Sequence, residues 1–578
     1  MELSIRSEIG SRLGVRWQTA IVLLLLVAAI LAPRLMGLDQ YVTPDEAAWV
    51  GRSASFYYAL AHRDFAGTFQ HSHPGVTATW AGTLAFRLRY PALAWEANQK
   101  VAKNWKNVEP FLREHGVSPL EVLKTARIFM VFGTALALAL AFLEAVRLAG
   151  LLAASIGFGL IAFDPFYAGL TRLLHLDGLM AGLMLLALLS FMNYMYQGRH
   201  FFDLCVAALA TGLSWLTKSP SLFLLPFFGL LALIGMLEDW RNTGKLSVSK
   251  LWPSIWPLAF LTTCAAGLFV LLWPAMWVRP VWSLGQVFGQ SLSYAAEGHS
   301  SVIFFNGRIV LGDPGWLFYP INYLWRATPG VLAGLALAIL AFALRIWPFD
   351  SAGNRRSGAI LALYALAFGV VMSTGAKKFD RYLIPSFLSL DLLAGFGWAA
   401  MIVWVWKIRS ALARLVAVAI LAIAIGSHAF LAAKTYPYYL SYYNPLMGGS
   451  KRAPTVMMIG WGEGLDQAAR YLNSQPGAEK LRVMSHYPDG SFSYFFKGET
   501  LEQIDHWEGP GSEQFKNVDY FVLYYHQLQR QQPDPRLLAY LERQTPEYTV
   551  HINGLEYARV YNLHHLTAGP RFSGETKP

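Results

Sequence analysis

Short stretches that combine acidic, basic and histidine side chains interrupt long apolar runs at several points in this sequence. An ionisable side chain at membrane depth costs about 2.5–3.5 kcal/mol on insertion scales, so each stretch needs a structural or chemical reason to be there. The most prominent stretches are residues 43–46, 71–76, 164–177, 216–220 and 377–385. Their residue types suit acid–base chemistry and the binding of an anion.

Asp45 and Glu46 are adjacent carboxylates just after the first apolar run. At a membrane surface, such a pair suits a general base or a metal ligand. In a helix the two side chains diverge by about 100°, so we expect them to have different roles. The structural alternative is that both complement the macrodipole of a helix that begins near Pro44.

A His-x-His sequence follows in the same loop, at His71 and His73. Two histidines and a carboxylate could bind a divalent metal ion, although the spacing provides no third fixed ligand. The alternative is a loop turn closed by the Pro-Gly pair that follows. Cys205 and Cys264 lie in apolar runs and support neither a disulfide framework nor a cysteine-based zinc site. The sequence therefore requires no cofactor and leaves a divalent metal ion open.

Basic residues and one further carboxylate complete the set. Arg172 lies shortly before Asp177, which begins a predicted helix, and the pair is either a carboxylate with a cationic partner beside a cavity or a helix cap with a local ion pair. The other basic residues lie where the bias towards cytoplasmic lysine and arginine predicts few of them. They are Lys218, Lys377, Lys378 and Arg381.

A phosphate-bearing lipid at the outer leaflet would explain these basic positions together. Arginine is suited to bidentate phosphate contacts and lysine to a point-charge contact. The alternative is ordinary contact between long basic side chains and lipid headgroups.

The elements that position these residues are membrane helices. The chain has 578 residues, of which 55% are hydrophobic and 14% charged, whereas soluble proteins average about 25% charged. Its mean hydropathy is +0.36. Runs of roughly 20 apolar residues predict about eleven spanning helices. Their centres are near Leu25, Ala135, Gly157, Leu186, Ala208, Phe228, Leu268, Leu337, Leu363, Ala394 and Leu421.

The net charge of +11 is interpreted as a consequence of membrane topology and anionic headgroups, with no nucleic-acid partner. A cytoplasmic N-terminus, residues 1–19, makes every second loop cytoplasmic, and each of those loops is basic. Their residues are Arg147, Arg199, Arg241, Lys245, Lys250, Arg345, Arg355, Arg356, Lys407, Arg409 and Arg414. This orientation predicts a multi-pass plasma or inner membrane protein with outer loops at 37–124 and 279–328, and it places all the stretches above on the outer side.

The last part of the chain, residues 433–578, has no run long enough to span a membrane, and we call it the tail. Its patterns predict a helix at 464–473 and strands at 481–485, 520–525, 548–553 and 557–561, the last two forming a hairpin across Gly554. The predicted fold is an α-helical polytopic membrane domain, residues 20–432, followed by a small extracytoplasmic α/β domain.

The order of these motifs along the chain, and their predicted location on the outer side of the membrane, resemble those of the C-type (GT-C) membrane glycosyltransferases. More specifically, they resemble those of the relatives of protein O-mannosyltransferases and aminoarabinose transferases, in glycosyltransferase family 39 and its neighbours. The resemblance covers roughly residues 20–430, although the chain has no room for the β-trefoil repeats of the O-mannosyltransferases proper. The matching residues are Asp45-Glu46, His73-Pro74-Gly75, Arg172 with Asp177, Thr217-Lys218, and Arg381-Tyr382 with Pro385.

The resemblance implies inverting transfer of a mannose or another hexose or pentose from a polyprenyl-phosphate-linked donor to a lipid, glycan or protein acceptor. It implies Asp45 as the base, with Glu46 and Asp177 supporting it or orienting the acceptor. The implied phosphate-holding residues are Arg172, Lys218 and Arg381, with Lys377 and Lys378 as further candidates. The implied substrate-loop residues are His73, Glu297, His299 and Tyr382. Residues 461–464 also look like a motif of bacterial relatives, without a chemical role that we can name.

Two other classes of function stay open at this point. A transporter or flippase would carry charge through both halves of the membrane, and many transporters show internal repeats, which this sequence lacks. A non-enzymatic membrane scaffold that displays the tail would leave Asp45, Arg172, Lys218 and Arg381 without a shared purpose.

Overall fold

The computed structural model describes residues 2–243, 248–408, 410–509 and 512–565. Lys245 and Arg409, which contributed to the predicted orientation, lie outside these residues. The α-helices are α1 (Glu2–Leu35), α2 (Pro44–Ala61), α3 (Val76–Arg89), α4 (Leu93–Glu96), α5 (Gln99–Lys103), α6 (Val108–Glu114), α7 (Pro119–Ala149), α8 (Leu151–Phe163), α9 (Pro165–Thr171), α10 (Leu176–Tyr196), α11 (Phe201–Thr217), α12 (Leu224–Thr243), α13 (Val248–Leu272), α14 (Ala275–Val278), α15 (Pro280–Glu297), α16 (Phe318–Arg326), α17 (Pro329–Leu344), α18 (Ala352–Thr374), α19 (Ile384–Trp406), α20 (Ala411–Thr435), α21 (Gly449–Arg452), α22 (Leu465–Asn473), α23 (Tyr525–Arg530) and α24 (Pro535–Glu542).

The membrane fold predicted from the sequence is confirmed. Among the described residues, eight helices are long and apolar enough to span a membrane, and two bent helix pairs raise the number to as many as ten. The shorter apolar helix α11 accounts for the remaining predicted span. Each of the eleven predicted centres lies within one of these helices.

The two bent pairs each break before a proline. Helices α8 and α9 meet at 66°, and helices α16 and α17 meet at 111°. Pro165 and Pro329 occupy the first turn of the second helix in each pair, where a missing backbone N–H is tolerated. Asp164 caps α9, since its carboxylate accepts a hydrogen bond of 2.6 Å from the backbone N–H of Tyr167. The sequence predicted apolar runs here but not the bends.

Ion pairs join helix ends that were predicted to lie on one side of the membrane. Arg147, at the end of α7, lies 2.5 Å from Asp203 at the start of α11. Arg356, near the start of α18, lies 2.7 Å from Glu238 near the end of α12. Each ion pair therefore joins two helix ends that the alternation of basic loops predicts to lie on the same side of the membrane.

The tail contains a five-stranded sheet with the strand order β4-β3-β5-β7-β6. A separate hairpin, β1 (His299–Phe305) with β2 (Arg308–Gly312), lies between α15 and α16. The tail strands are β3 (Arg482–Ser485), β4 (Glu499–Leu501), β5 (Tyr520–Tyr524), β6 (Tyr548–Ile552) and β7 (Leu555–Asn562). Strand β3 pairs in parallel with β4 and β5, whereas β7 is antiparallel to β5 and β6. The predicted strands and the predicted helix, α22, are confirmed, and β4, α23 and α24 are additional.

The tail shares a hydrophobic core with the helix bundle. One continuous cluster of buried side chains includes Ile30 and Leu138 of the bundle together with Leu465 and Val522 of the tail. Because apolar contacts join the two parts, the tail can hold side chains in fixed positions against the end of the bundle.

Candidate active site

Five ionisable side chains from four separate segments meet at one end of the bundle, and we call them the charged cluster. The members are Asp45, His175, Asp177, Lys218 and Arg381. Asp45 lies in the first turn of α2, and Asp177 in the first turn of α10. Lys218 directly follows α11, and Arg381 lies just before α19. Helix termini therefore supply four of the five residues.

Asp177 is the buried centre of the cluster, with no exposed side-chain surface. Lys218 donates a hydrogen bond of 2.7 Å from Nζ to its Oδ1. The Nε of Arg381 lies 3.4 Å from its Oδ2. A carboxylate buried in this way needs positive partners, and here two basic side chains from different helices supply them.

Asp45 is the accessible carboxylate of the cluster, with 43% of its side chain exposed. Its Oδ2 lies 3.3 Å from His175 Nε2 and 3.5 Å from Arg381 Nη2. Its surroundings disfavour the charged form through desolvation. The hydrogen bond from His175 and the charges of Arg381 and Lys218 outweigh that effect and hold the pKa of Asp45 below its ordinary value. Asp45 is therefore an ionised carboxylate open to a ligand.

His175 joins the two carboxylates and was not among the predicted site residues. Its Nε2 faces Asp45, and its Nδ1 lies 3.4 Å from Asp177 Oδ2. Its side chain is 5% exposed. A lone histidine two residues before a helix-start aspartate carries little signal in a single sequence, so only the fold reveals this contact.

Glu46, predicted as a catalytic partner, faces away from the charged cluster. It is fully buried, and its carboxylate accepts hydrogen bonds from Arg127 Nε at 2.7 Å and from the backbone N–H groups of Thr43 and Leu174 at 3.0 and 2.8 Å. The divergence of adjacent residues on a helix accounts for this separation from Asp45. Glu46 fixes the start of α2 and thereby the position of its neighbour.

Arg172, predicted to hold phosphate, also lies outside the charged cluster. Its guanidinium is buried and donates hydrogen bonds to the backbone carbonyls of Pro437 at 3.1 Å and Met36 at 2.5 Å. These contacts tie the segment after α9 to the ends of α1 and α20. The predicted local pairing of Arg172 with Asp177 does not form, because Asp177 is satisfied by Lys218 and Arg381.

Lys377 and Lys378 diverge. Lys378 is buried, and its ammonium pairs with Asp313. The ammonium of Lys377 lies 3.6 Å from the ring centroid of Tyr294, within cation–π range. Lys377 therefore keeps its charge available in a way that Lys378 does not.

The predicted substrate-loop residues have different surroundings. The Nε2 of His299 lies 2.8 Å from the backbone carbonyl of Lys378, whereas Glu297 is exposed. The ring of Tyr382 lies beneath the ammonium of Lys218, at 4.0 Å. The ring of His73 packs on that of Tyr294 at 5.1 Å. Tyr382 is thus the one of these four side chains that contacts a member of the charged cluster directly.

The two histidines considered as metal ligands are held in the loop. His71 Nδ1 accepts a hydrogen bond of 2.9 Å from the backbone N–H of His73, and burial lowers the pKa of His71 to about 4, so its ring is neutral at pH 7. Within the described ranges, no three His, Cys, Asp or Glu side chains are arranged to hold a metal ion.

A cavity of about 360 Å³ opens beside the charged cluster. Asp45, Lys377 and Arg381 line it from the bundle, and Ser300 and Ser301 line it from β1. The tail supplies a further part of the wall, which includes Trp461, Glu463, Tyr487 and Arg530. An accessible carboxylate, basic side chains and a hydroxyl-lined wall therefore face one space, which can take a substrate that carries both an anion and a hydroxyl.

No protein-family model and no curated protein matches this chain. Solved structures do. ArnT from Cupriavidus metallidurans, solved with undecaprenyl phosphate bound, matches with a TM-score of 0.50 and 14% identity over 95% of this chain and 99% of that one. The S. cerevisiae protein O-mannosyltransferase Pmt1-Pmt2 complex, solved with its sugar donor, matches with a TM-score of 0.50 and 10% identity over 73% of this chain and 90% of that one. This chain therefore has the fold of the C-type membrane glycosyltransferases, as its motifs predicted.

Proposed function

We propose that this protein is a glycosyltransferase that moves a sugar from a polyprenyl-phosphate-linked donor to an acceptor hydroxyl at the outer face of the membrane. The observation that carries the proposal is the charged cluster, in which the accessible Asp45 lies beside Arg381 at a cavity and the buried Asp177 joins Arg381 to the buried Lys218. The fold shared with a protein solved with undecaprenyl phosphate and with one solved with its sugar donor supports it.

The reaction is a direct displacement at the anomeric carbon. The acceptor oxygen attacks that carbon while Asp45 takes the hydroxyl proton, and the bond between the carbon and the phosphate oxygen breaks. The electron pair of that bond stays on the polyprenyl phosphate. Attack opposite to the leaving group inverts the anomeric configuration. The sugar is a mannose or another hexose or pentose, and the acceptor is a lipid, a glycan or a protein.

Lys218 and Arg381 stabilise the charge that develops on the leaving phosphate. Lys218 is hydrogen-bonded to Asp177, and the guanidinium of Arg381 lies beside the same carboxylate, so little reorganisation is needed when the phosphate gains charge. Lys377, at the cavity wall, contributes a third positive charge. Asp177 holds these residues in place and does not contact the acceptor, since its side chain has no exposed surface.

The proposal is tested with the full-length protein in liposomes that contain a radiolabelled polyprenyl-phosphate sugar. Asp45→Asn should lower turnover by about 10²- to 10⁴-fold, the usual contribution of a general base, while the donor still binds. Asp39→Asn is the matched control, because Asp39 is a partly exposed aspartate of the same loop that pairs with Lys124. Near-normal turnover in Asp45→Asn would remove the base from the proposal, and donor movement without any turnover would indicate a flippase.

A further inference from the structure

A glycine-framed loop of the tail, residues 460–464, reaches into the candidate active site, and we call it the Trp461 loop. Its sequence is Gly-Trp-Gly-Glu-Gly. The three glycines have φ values of 92°, 103° and 87°, in the left-handed region that residues with a side chain rarely adopt. The backbone here therefore depends on glycine at all three positions.

The Trp461 loop is wedged between the tail and the segment that carries Asp45. A Cβ at Gly462 would lie 2.4 Å from the carbonyl oxygen of Val42, and a Cβ at Gly460 would lie 2.4 Å from the hydroxyl of Tyr524. The loop is thus in close backbone contact with the chain three residues before the proposed base. This close packing on both sides of Trp461 fixes its position next to the charged cluster.

Glu463 stabilises the Trp461 loop through two hydrogen bonds. Its side chain is 1% exposed, and its Oε2 accepts a hydrogen bond of 2.5 Å from the backbone N–H of Trp461. Its backbone carbonyl accepts a hydrogen bond of 3.0 Å from the hydroxyl of Tyr524. Glu463 therefore connects Trp461 to β5, the central strand of the tail sheet.

Trp461 contacts two members of the charged cluster at once. Its ring centroid lies 4.2 Å from Cζ of Arg381, and its ring meets that of His175 edge to face, at 5.0 Å and 89°. On Arg381 the ring of Phe379 makes a similar contact, at 4.3 Å. The guanidinium of Arg381 therefore makes cation–π contacts with two aromatic rings, those of Trp461 and Phe379.

Arg381, whose side chain is 13% exposed, is held differently from the buried arginines Arg127 and Arg326. Arg127 and Arg326 are fixed by hydrogen bonds of 2.5–3.0 Å from their guanidinium nitrogens. In the part of the chain that the structure describes, the guanidinium of Arg381 makes no hydrogen bond in this range, and its Nε and Nη2 lie 3.4 and 3.5 Å from the carboxylates of Asp177 and Asp45. Its N–H groups are therefore oriented by ring contacts while they stay able to bind an incoming anion.

From these contacts we propose that Trp461 is a positioning residue, through which the tail orients Arg381 towards the donor phosphate and His175 towards Asp45. The proposal rests on the proposed function, since it assumes that Arg381 binds the donor phosphate. It gives the tail a role in the chemistry beyond that of an appended domain. It also assigns a purpose to the Gly-Trp-Gly-Glu-Gly sequence.

The test uses the full-length protein in liposomes, with binding of polyprenyl phosphate and turnover of the labelled donor measured separately. Trp461→Leu should weaken binding of polyprenyl phosphate by about 2- to 30-fold, the range of a cation–π contact. Trp461→Phe should recover part of that loss, because it keeps a ring. Trp316→Leu, which removes a 60% exposed tryptophan elsewhere, is the control and should bind as the unmodified protein does.

A double-mutant cycle separates positioning from a general effect on folding. If Trp461 acts through Arg381, then Trp461→Leu should weaken binding no further once Arg381→Ala is present. An additive loss in the double variant, or unchanged binding and turnover in Trp461→Leu, would overturn the proposal. If the unmodified protein binds polyprenyl phosphate but turns over no donor, the proposed function fails, and the cycle still reports on the contact between Trp461 and Arg381.

Discussion

Lys218 and Asp177 form an ion pair in which both side chains are buried, with Nζ 2.7 Å from Oδ1 and exposed fractions of 5% and 0%. The two residues belong to different helix ends, one after α11 and the other at the start of α10. In the absence of donor, Asp177 therefore neutralises a positive charge that a phosphate would otherwise use. A donor phosphate beside Lys218 would share its charge with Asp177.

Removal of the Asp177 carboxylate should lower the stability of the protein and at the same time raise its affinity for polyprenyl phosphate. Asp177→Asn leaves a buried lysine without its charged partner, so we expect a loss of about 3–5 kcal/mol in the free energy of unfolding. We also expect polyprenyl phosphate to bind more tightly and to restore part of the stability, because its charge takes the place of the carboxylate. Thermal unfolding in detergent, with and without polyprenyl phosphate, measures both effects. Weaker lipid binding in this variant would show that Asp177 acts mainly by holding Lys218 and Arg381 in place and does not compete with the phosphate for their charge.

The two cluster cations should act on the same phosphate. Charge-assisted hydrogen bonds contribute about 1.5–3 kcal/mol each, so Arg381→Ala and Lys218→Ala should each weaken binding of polyprenyl phosphate by about 10- to 150-fold. Arg381→Lys should recover only part of this, since the bidentate fork is lost. Lys378→Ala is the comparison variant, and we expect a small effect because its ammonium pairs with Asp313. Additive losses in the double variant of Lys218 and Arg381 would indicate separate sites.

The sequence singled out Asp45, Asp177, Lys218 and Arg381, which the fold brings together, because each is an ionisable residue at the end of a long apolar run, where its presence is costly. It could not separate Asp45 from Glu46, because adjacent acidic residues look alike until the helix phase is known. The family resemblance placed Arg172 with the phosphate-holding residues, whereas in the fold its guanidinium donates hydrogen bonds to backbone carbonyls.

Contacts between distant segments could not be predicted from the sequence. His175 and Trp461 are 286 positions apart by their residue numbers, and their rings meet at 5.0 Å only because the tail folds back on the bundle. The helices were predictable since long apolar runs have few alternatives in a membrane. The bend between α16 and α17 was not, because its cause, Pro329, lies at a helix start where proline is also ordinary.

The structure predicts that Glu46 supports the fold and not the chemistry. Its ion pair with Arg127, at 2.5 Å, has side chains that are 0% and 1% exposed, so Glu46→Gln should lower the free energy of unfolding by about 3–5 kcal/mol. Glu121→Gln removes a half-exposed pair with Arg89 and should lower it by less than about 1 kcal/mol. Thermal unfolding in detergent compares the two variants. If the Glu46→Gln protein keeps its full stability but loses turnover, Glu46 takes part in the reaction.

The orientation of the chain is tested by cysteine labelling in intact cells. In a variant without Cys205 and Cys264, Asp505→Cys in the tail should react with an impermeant maleimide. Asp350→Cys, between α17 and α18, should react only after permeabilisation, because that loop belongs to the basic, cytoplasmic set. Both aspartates are exposed, so access of the reagent is comparable. The reverse pattern would place the candidate active site on the cytoplasmic side.

The tail also contains a pair of histidines, the buried His526 and the half-buried His486, whose contact depends on at least one ring being neutral. The Nε2 atoms of His486 and His526 lie 2.7 Å apart, so at least one of the two must accept a hydrogen bond and carry no proton there. Burial, with the charge of Arg530 nearby, lowers the pKa of His486 to about 3, and burial lowers that of His526 well below its ordinary value. The rings of Tyr487 and Tyr524 complete the surroundings.

Because the folded-state pKa values are depressed, the unfolded chain binds more protons than the folded one once the pH falls below about 6.5, the ordinary histidine pKa. The stability that this pair provides is therefore fully present above that pH and is lost progressively on acidification. At pH 5 the loss should approach about 2 kcal/mol for each histidine, by the rule of 1.36 kcal/mol per pH unit. Melting temperatures of the detergent-solubilised protein between pH 7.5 and pH 5 should fall accordingly. The fall should be smaller in His486→Gln and unchanged in the control His551→Gln, which alters an exposed histidine of β6. An equal pH dependence in all three proteins would mean that other groups control the acid stability of the tail.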